Sequence, residues 1–567
     1  MRQTSMNKST IITIMLALVC LAGQGQTKTS ALVRGSLLNI PKQAESQLTI
    51  SYYNPLVAQS SFASEIPLQL DSLGRFEVEV PLTDTSPVLL VFQRLMLSPG
   101  KTYDVEMNGW DFKLTCDGSN ASLANEMLNH EPPRCSWNYD TMDGKTDAFV
   151  LEAAEKELQC MEAAIDSIQQ ANPSLSPEWR YCARCRALAS LAQAVVQRHF
   201  TSPAVRQNTD GRLWQWLHDR FICDLPRPYS IIEDRLGYII MYYTEELLAP
   251  RTRSKYNLSD IDAAIDIVLD GQADGTISRT EAFADSLRTL RTMMQDYKAL
   301  TESNAADSLI ASHPFERAAK GFFSDPYLKN IFRNGIVSER TTAQYIKRIA
   351  SLDMPEEVRD LARAGLLYNE VEQYHAPLRP TLGALLGEVK DDDLRSLVTE
   401  RSNHYRDLAL LSKADEASLM PNEPLAGLTD GKDIFAKIIE PYRGRILLVD
   451  FWGTWCGPCK IYLKNNTHSL HQALSDLPFT YLFLCNGSET EAWRSTIAEY
   501  KLTGKDFVHY NLPADQQQAV QEYLGIHKYP TYIIFDKDGQ RVTTEANEPR
   551  PYQPEAVRET MLKLKDK

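Results

Sequence analysis

ILLVDFWGTWCGPCK, residues 446–460, sets two cysteines two residues apart at the end of an apolar run. Ile446 to Trp452 is a short, almost continuous stretch of aliphatic and aromatic residues closed by Gly453, the pattern of a strand covered on both faces. Cys456 stands just past that strand and opens the helical stretch CKIYLKNNTHSLHQAL. Unpaired backbone N–H groups and the helix dipole favour an anion there, so a thiolate is stabilised and its pKa falls. The thiolate is the nucleophile in disulfide exchange, which makes Cys456 the attacking residue. Cys459, one helical turn later, is placed to resolve the mixed disulfide. Pro458 needs no N–H partner so early in a helix, and Gly457 leaves room for another chain to approach.

Two further features belong with this pair. Asp450 lies inside the apolar strand, where an ionised carboxylate is costly without a task or a partner. A buried acid there could take the proton from Cys459 as it attacks; a hydrogen-bonded structural aspartate is the other reading. Tyr529-Pro530-Thr531 leads into the strand YIIFD. A proline at a strand entry is one place where a cis bond occurs, and it would leave the backbone of Tyr529 free to pair with a substrate strand. A plain trans turn is the alternative.

Around these residues apolar runs alternate with helical patterns: ILLVDFW, then FTYLFLC, ETEAWRSTIAEYK, DFVHY, ADQQQAVQEYLG and TYIIFD. Asp538-Gly539 is a hairpin turn into RVTTE, and PEAVRETMLKLK reads as a last helix. Such alternation indicates an α/β domain over 425–567 with a covered sheet. Ahead of it, SLMPNEPLAGLTDGKD (418–433) is rich in Pro, Gly and polar residues and reads as a linker or a domain entry.

The remaining residues fall into two zones. Residues 28–117 carry short β-rich segments (VRGSLL, QLTISYY, IPLQL, RFEVEVPL, SPVLLVF, TYDVEM) about ten residues apart, which suggests a small sandwich or barrel. Residues 120–415 show helical periodicity broken by prolines. The expected fold class is therefore multi-domain α+β: a sandwich-like start, a helical middle and a C-terminal α/β domain. A length of 567 residues is too great for one core. The net charge of −14, with no basic stripe, argues against a nucleic-acid partner.

Residues 1–25 carry Arg2 and Lys8, then IITIMLALVCLA, then GQGQ, the n-region, h-region and small-residue exit of a secretory signal peptide. The apolar run falls short of the roughly 20 residues of a spanning helix, so no spanning segment is expected in the mature chain. Cys20 raises a lipoprotein reading, though Val19 precedes it where such sites carry Gly, Ala or Ser. Export would place the remaining nine cysteines where disulfides form, and an odd count leaves at least one free thiol or an intermolecular bond.

VDFWGTWCGPCK with YPTYIIFD some way downstream resembles the thioredoxin superfamily. The leader and the lead-in PLAGLTDGKDIFAKIIEPYRGRILLVDFW are similar to TlpA/ResA-type exported thiol-disulfide oxidoreductases of Gram-negative envelopes. The β-rich start is more loosely similar to a domain of unknown function found ahead of such modules. The resemblance implies a nucleophilic Cys456, a resolving Cys459 and an assisting Asp450. It implies a substrate groove bordered by Trp455, Tyr529 and the cis-proline Pro530. It implies a periplasmic or envelope location, disulfide-bearing exported proteins as partners, and recycling by a membrane thiol transporter of DsbD or CcdA type. CGPC in this family goes with the reducing direction. No motif calls for a cofactor or a metal. CKIYLKNN departs from the pattern, with Lys464 where a helix-kinking proline often stands.

Competing readings have their own residues. YCARC, with Cys182 and Cys185, lies on a helical pattern with no strand before it, so buried packing is the simplest role; an intrahelical disulfide or a partial zinc site are the others. His468 and His471 read as solvated, Cys485 as core, and His509 and His527 as isolated. A peroxidase of the peroxiredoxin type would carry Pro and Thr or Ser where Val449 and Gly453 stand. A non-enzymatic redox sensor or binding protein is the remaining class.

Overall fold

The computed structural model describes residues 30–40, 48–52, 54, 56, 64–82, 84–137, 142, 144–201, 211–225, 229–232, 235–248, 254–303, 305–411, 413–542 and 553–565. Residues 1–29, with the expected signal peptide and Cys20, lie outside them. By packing the chain divides into Met1–Tyr243 and Thr244–Lys567, a boundary inside the stretch read as helical.

The first unit opens with two four-stranded sheets, ordered β4-β1-β7-β8 and β3-β2-β5-β6. Their strands are β1 Ser30–Leu38, β2 Thr49–Tyr52, β3 Ser64–Pro67, β4 Arg75–Pro81, β5 Ser86–Leu90, β6 Gln93–Leu97, β7 Thr102–Asn108 and β8 Asp111–Cys116. Val33, Val80 and Val105 from one sheet and Ile50, Val88 and Leu95 from the other share one buried core, so the pair is a sandwich. SPVLLVF does not form one strand. Its chain reverses at Val91-Phe92, with Val91 at φ 56°, and β5 pairs antiparallel with β6. Long helices Asp147–Ala171 and Pro177–Thr201 follow in this unit. Cys182 and Cys185 lie on the second as free, buried thiols, and burial pushes them up to about 12 and about 11. They pack and do not pair.

The second unit combines helices from Leu258–Ala273 to Asp392–Leu408 with a four-stranded sheet, ordered β11-β10-β9-β12. Its strands are β9 Ile446–Trp452, β10 Phe479–Cys485, β11 Phe507–Asn511 and β12 Thr531–Phe535. β9 runs parallel to β10, and β12 lies antiparallel to β9. Every residue of β9 is buried, because both of its faces are covered. Ile446, Leu448 and Trp452 pack with helices Gly457–Leu474 and Pro554–Lys565. Leu447, Val449 and Phe451 pack with helices Gly431–Ile439 and Ala514–Leu524 on the other side. The unbroken apolar run is thus the middle layer of three.

The 418–433 stretch is a domain entry and not a loose linker. Leu419 forms a bridge with His509 on β11: the His509 N–H donates to Ser418 O at 2.8 Å and the Met420 N–H to His509 O at 2.9 Å. Leu425 is buried, and Asp430 caps the helix Gly431–Ile439. A Cβ on Gly431 would lie 2.0 Å from Ala519 O, so only glycine lets this helix meet its neighbour so closely. After β12, Gly539 turns the chain at φ 75°, Arg541 bridges Phe535 and the Val542 N–H donates to Ile534 O at 2.9 Å; residues 543–545 of RVTTE lie outside the described residues. Among the described residues no helix is long and apolar enough to cross a membrane.

Candidate active site

Cys456 is the N-cap of the helix Gly457–Leu474, with Pro458 in its first turn. Its Sγ accepts the Cys459 backbone N–H at 3.2 Å, so the sulfur sits at the unpaired donors of the helix start. Cys456 and Cys459 are joined as a disulfide with Cα atoms 5.2 Å apart. Both are buried, Cys456 at 5% exposure.

Asp450 follows the alternation of Ile446, Leu448 and Trp452 and so faces the layer that contains the cysteines. It is 1% exposed, and burial alone holds its carboxyl well above the ordinary range. Among the described residues no donor reaches its Oδ1. Burial with no bond to Oδ1 raises the affinity of this carboxylate for a proton.

Trp455 and Tyr529, expected to border a groove, are tied together by a turn that the sequence reading did not single out. After β10, Asn486 O accepts the Trp455 indole N–H at 2.7 Å, and the Asn486 amide donates to the Tyr529 hydroxyl. Ser488 Oγ accepts the Thr454 N–H at 3.0 Å. Gly453 makes this possible, since a Cβ there would fall 2.6 Å from the Trp455 Nε1. Trp455 and Tyr529 then meet edge to face, with centroids 5.1 Å apart. The Tyr529–Pro530 peptide is cis. Asn486-Gly487-Ser488 is a turn signal, the one local hint available.

Arg333, the last residue of the helix Pro326–Arg333, covers this aromatic pair. Its guanidinium carbon lies 4.9 Å from the Trp455 ring and 5.7 Å from the Tyr529 ring. Burial lowers its pKa, and among the described residues it forms no ion pair. Lys460, one residue after Cys459, donates from Nζ to the Glu372 and Gln373 carbonyls at 3.0 and 2.7 Å, and burial brings it down to about 8. These carbonyls belong to the end of the helix Glu356–Tyr374, which His375 terminates in the left-handed region. The helical segment is therefore part of the site's surroundings.

The third cysteine of this domain and its histidines stand apart from the redox pair. Cys485 is a buried free thiol raised to about 12 by burial. His468 is exposed, but His471 is not simply solvated: it stacks on Phe507 at 4.6 Å. His509 is fully buried and bonded to Leu502 O. His527 is exposed, and among the described residues no side chain gathers around it into a site.

Residues 444–541 match the thioredoxin-like family model. A thioredoxin of Malassezia sympodialis is 26% identical over 100 residues, 18% of this chain and 67% of that protein. A thioredoxin of Callithrix jacchus is 40% identical over 50 residues, 9% of this chain and 47% of that protein. The thiol-disulfide oxidoreductase ResA of Geobacillus thermodenitrificans is 25% identical over 109 residues, 18% of this chain and 55% of that protein. The chain thus spans from about half to two thirds of these relatives. Among solved structures, the thioredoxin domain of a thiol-disulfide oxidoreductase from Bacteroides vulgatus is 24% identical, covering 22% of this chain and 84% of that one at a TM-score of 0.19. The part of the chain that carries the disulfide, residues 444–541, is a thioredoxin-like domain.

Proposed function

We propose that the protein is an exported thiol-disulfide oxidoreductase that works in the reducing direction on disulfide-bearing proteins of the bacterial envelope. The observation that carries this reading is the Cys456 Sγ at the helix start, accepting the Cys459 N–H while bonded to Cys459. In the reduced pair the Cys456 thiolate attacks a substrate disulfide, forming a mixed disulfide and releasing one substrate thiolate. Cys459 then gives its proton to Asp450 and attacks Cys456 Sγ, and the second substrate thiolate leaves. Two electrons pass from the pair to the substrate. A carboxyl held well above its usual range is a base matched to a thiol, which an ordinary aspartate is not. Trp455, Tyr529 and Pro530 line the docking groove in this scheme. A membrane thiol transporter of DsbD or CcdA type would restore the reduced pair, and the N-terminal leader supports export to the periplasm.

Trapping tests it. A Cys459→Ser variant in envelope extract should accumulate covalent adducts through Cys456 that reductant releases, and Cys456→Ser should accumulate none. Absence of adducts refutes the exchange reading. A potential near the roughly −270 mV of thioredoxin is expected, and one above about −180 mV would reverse the direction. The burial of Cys456 favours one second reading, a redox sensor whose disulfide is a state and not a tool. A pair that cycles between dithiol and disulfide in cells while Cys459→Ser gathers no adducts would select that sensor reading.

A further inference from the structure

Apart from the redox pair, two cysteines among the described residues are exposed and outside any disulfide, Cys160 and Cys223. They differ in what stands beside them. Cys223 Sγ lies 3.1 Å from His218 Nε2, and His218 Nδ1 lies 2.7 Å from the Tyr243 hydroxyl. Cys160, on the helix Asp147–Ala171, has no histidine bonded to it among the described residues.

The backbone explains the juxtaposition. In an α-helix, residues five apart point about 140° away from each other around the axis. Residues His218–Ile222 instead form a π-helical turn, closed by the Cys223 N–H on His218 O at 2.9 Å. The wider turn, built on i→i+5 bonds, sets the two side chains nearly one above the other. Such turns are rare and recur at functional sites. In the stretch RLWQWLHDRFIC an ordinary helix would keep the thiol and the imidazole apart.

We propose that Cys223 is a second exchange-competent thiol, with His218 as its base and Tyr243 as a positioning residue, whose substrates are small or flexibly exposed disulfides. With His218 Nδ1–H donating to the Tyr243 hydroxyl, Nε2 is left to take the Cys223 proton. The thiolate attacks one sulfur of R–S–S–R. The Cys223 S–S bond forms as the substrate S–S bond breaks, and the departing thiolate takes the proton back from His218. Cys223 is oxidised from thiol to mixed disulfide and one half of the substrate is reduced to thiol, with no further reactant.

Cys160 supplies an internal reference in the same molecule. The full-length protein is treated at neutral pH with limiting iodoacetamide, and separately with 2-hydroxyethyl disulfide, and each site is read by peptide mass spectrometry. Cys223 is expected to react roughly threefold to fivefold faster than Cys160, the gain in thiolate being partly offset by its lower intrinsic nucleophilicity. The mixed disulfide should form at Cys223 first. His218→Asn should bring the two sites level and Tyr243→Phe should remove part of the advantage, with the Cys160 rate unchanged. Labelling of the buried Cys182 and Cys185 would reveal a variant that has opened, and the wild-type ratio with Tyr243→Phe then decides. A wild-type ratio near one, or a fast Cys223 unmoved by the folded variants, overturns the proposal.

Discussion

Asp450 and His509 are both buried in the second unit, and both pay for it in protonation. Asp450 has a raised pKa, so between the ordinary aspartate value and its folded value the native state binds the extra proton and stability falls as pH rises. Asp450→Asn should therefore raise the urea midpoint, more at pH 8 than at pH 5, while slowing resolution of a trapped mixed disulfide by roughly 10²-fold. A variant equally fast in resolution would leave Asp450 without its proposed task. His509 has the opposite sign. It stacks on Phe483 at 4.4 Å and is held down to about 4 by burial, so it stays neutral in the fold. The unfolded chain takes up a proton below about 6.5, and roughly 3 kcal/mol is lost as pH falls from there to 4. His509→Gln should show a shallower acid loss in denaturation curves taken at both ends of that window.

Elements built from local signals were legible. The apolar run of β9, the cysteine at a helix start and the Asp538-Gly539 turn each state their structure within a dozen residues. What was not legible rests on partners far off in sequence. Arg333 gives no local sign that it will stack on Trp455, nor Lys460 that it will close the helix Glu356–Tyr374. The Asn486 turn was missed because its meaning lies in the Trp455 indole it receives. Two outcomes follow from these contacts. Lys460→Met strips two carbonyls of their donor and should lower stability by about 1–3 kcal/mol in chemical denaturation. Arg333 offers a guanidinium to whatever enters beside Trp455 and Tyr529. A peptide disulfide flanked by Asp should therefore react roughly fivefold more slowly with Arg333→Met at low salt, and a Lys-flanked peptide should not.

Within Thr244–Lys567 the helices are built onto the thioredoxin-like domain through its helix Thr490–Glu499. Thr496 meets the His375 ring, Ser495 donates to the His375 carbonyl, and Glu499 receives Arg401 and His404. Arg494 reaches Ala409 O and Glu416. Ser495 and Thr496 are fully buried as a result. A fragment that begins at residue 413 would expose this polar face with His375, Arg401, His404 and Ala409 gone. Its Tm should fall at least about 5 °C below that of a fragment from residue 254, since a few kcal/mol at this size moves Tm by that much. Equal melting would mean that the helices only rest on the domain.

The strap of Ser418 to Met420 on β11 has a consequence of a different kind. An outer strand with free N–H and C=O groups is a template on which a second copy or an unfolded chain can grow. Here the outward donor and acceptor of His509 are already taken by the protein's own Ser418 and Met420. At that position of the outer strand the protein's own backbone occupies the place a second chain would need.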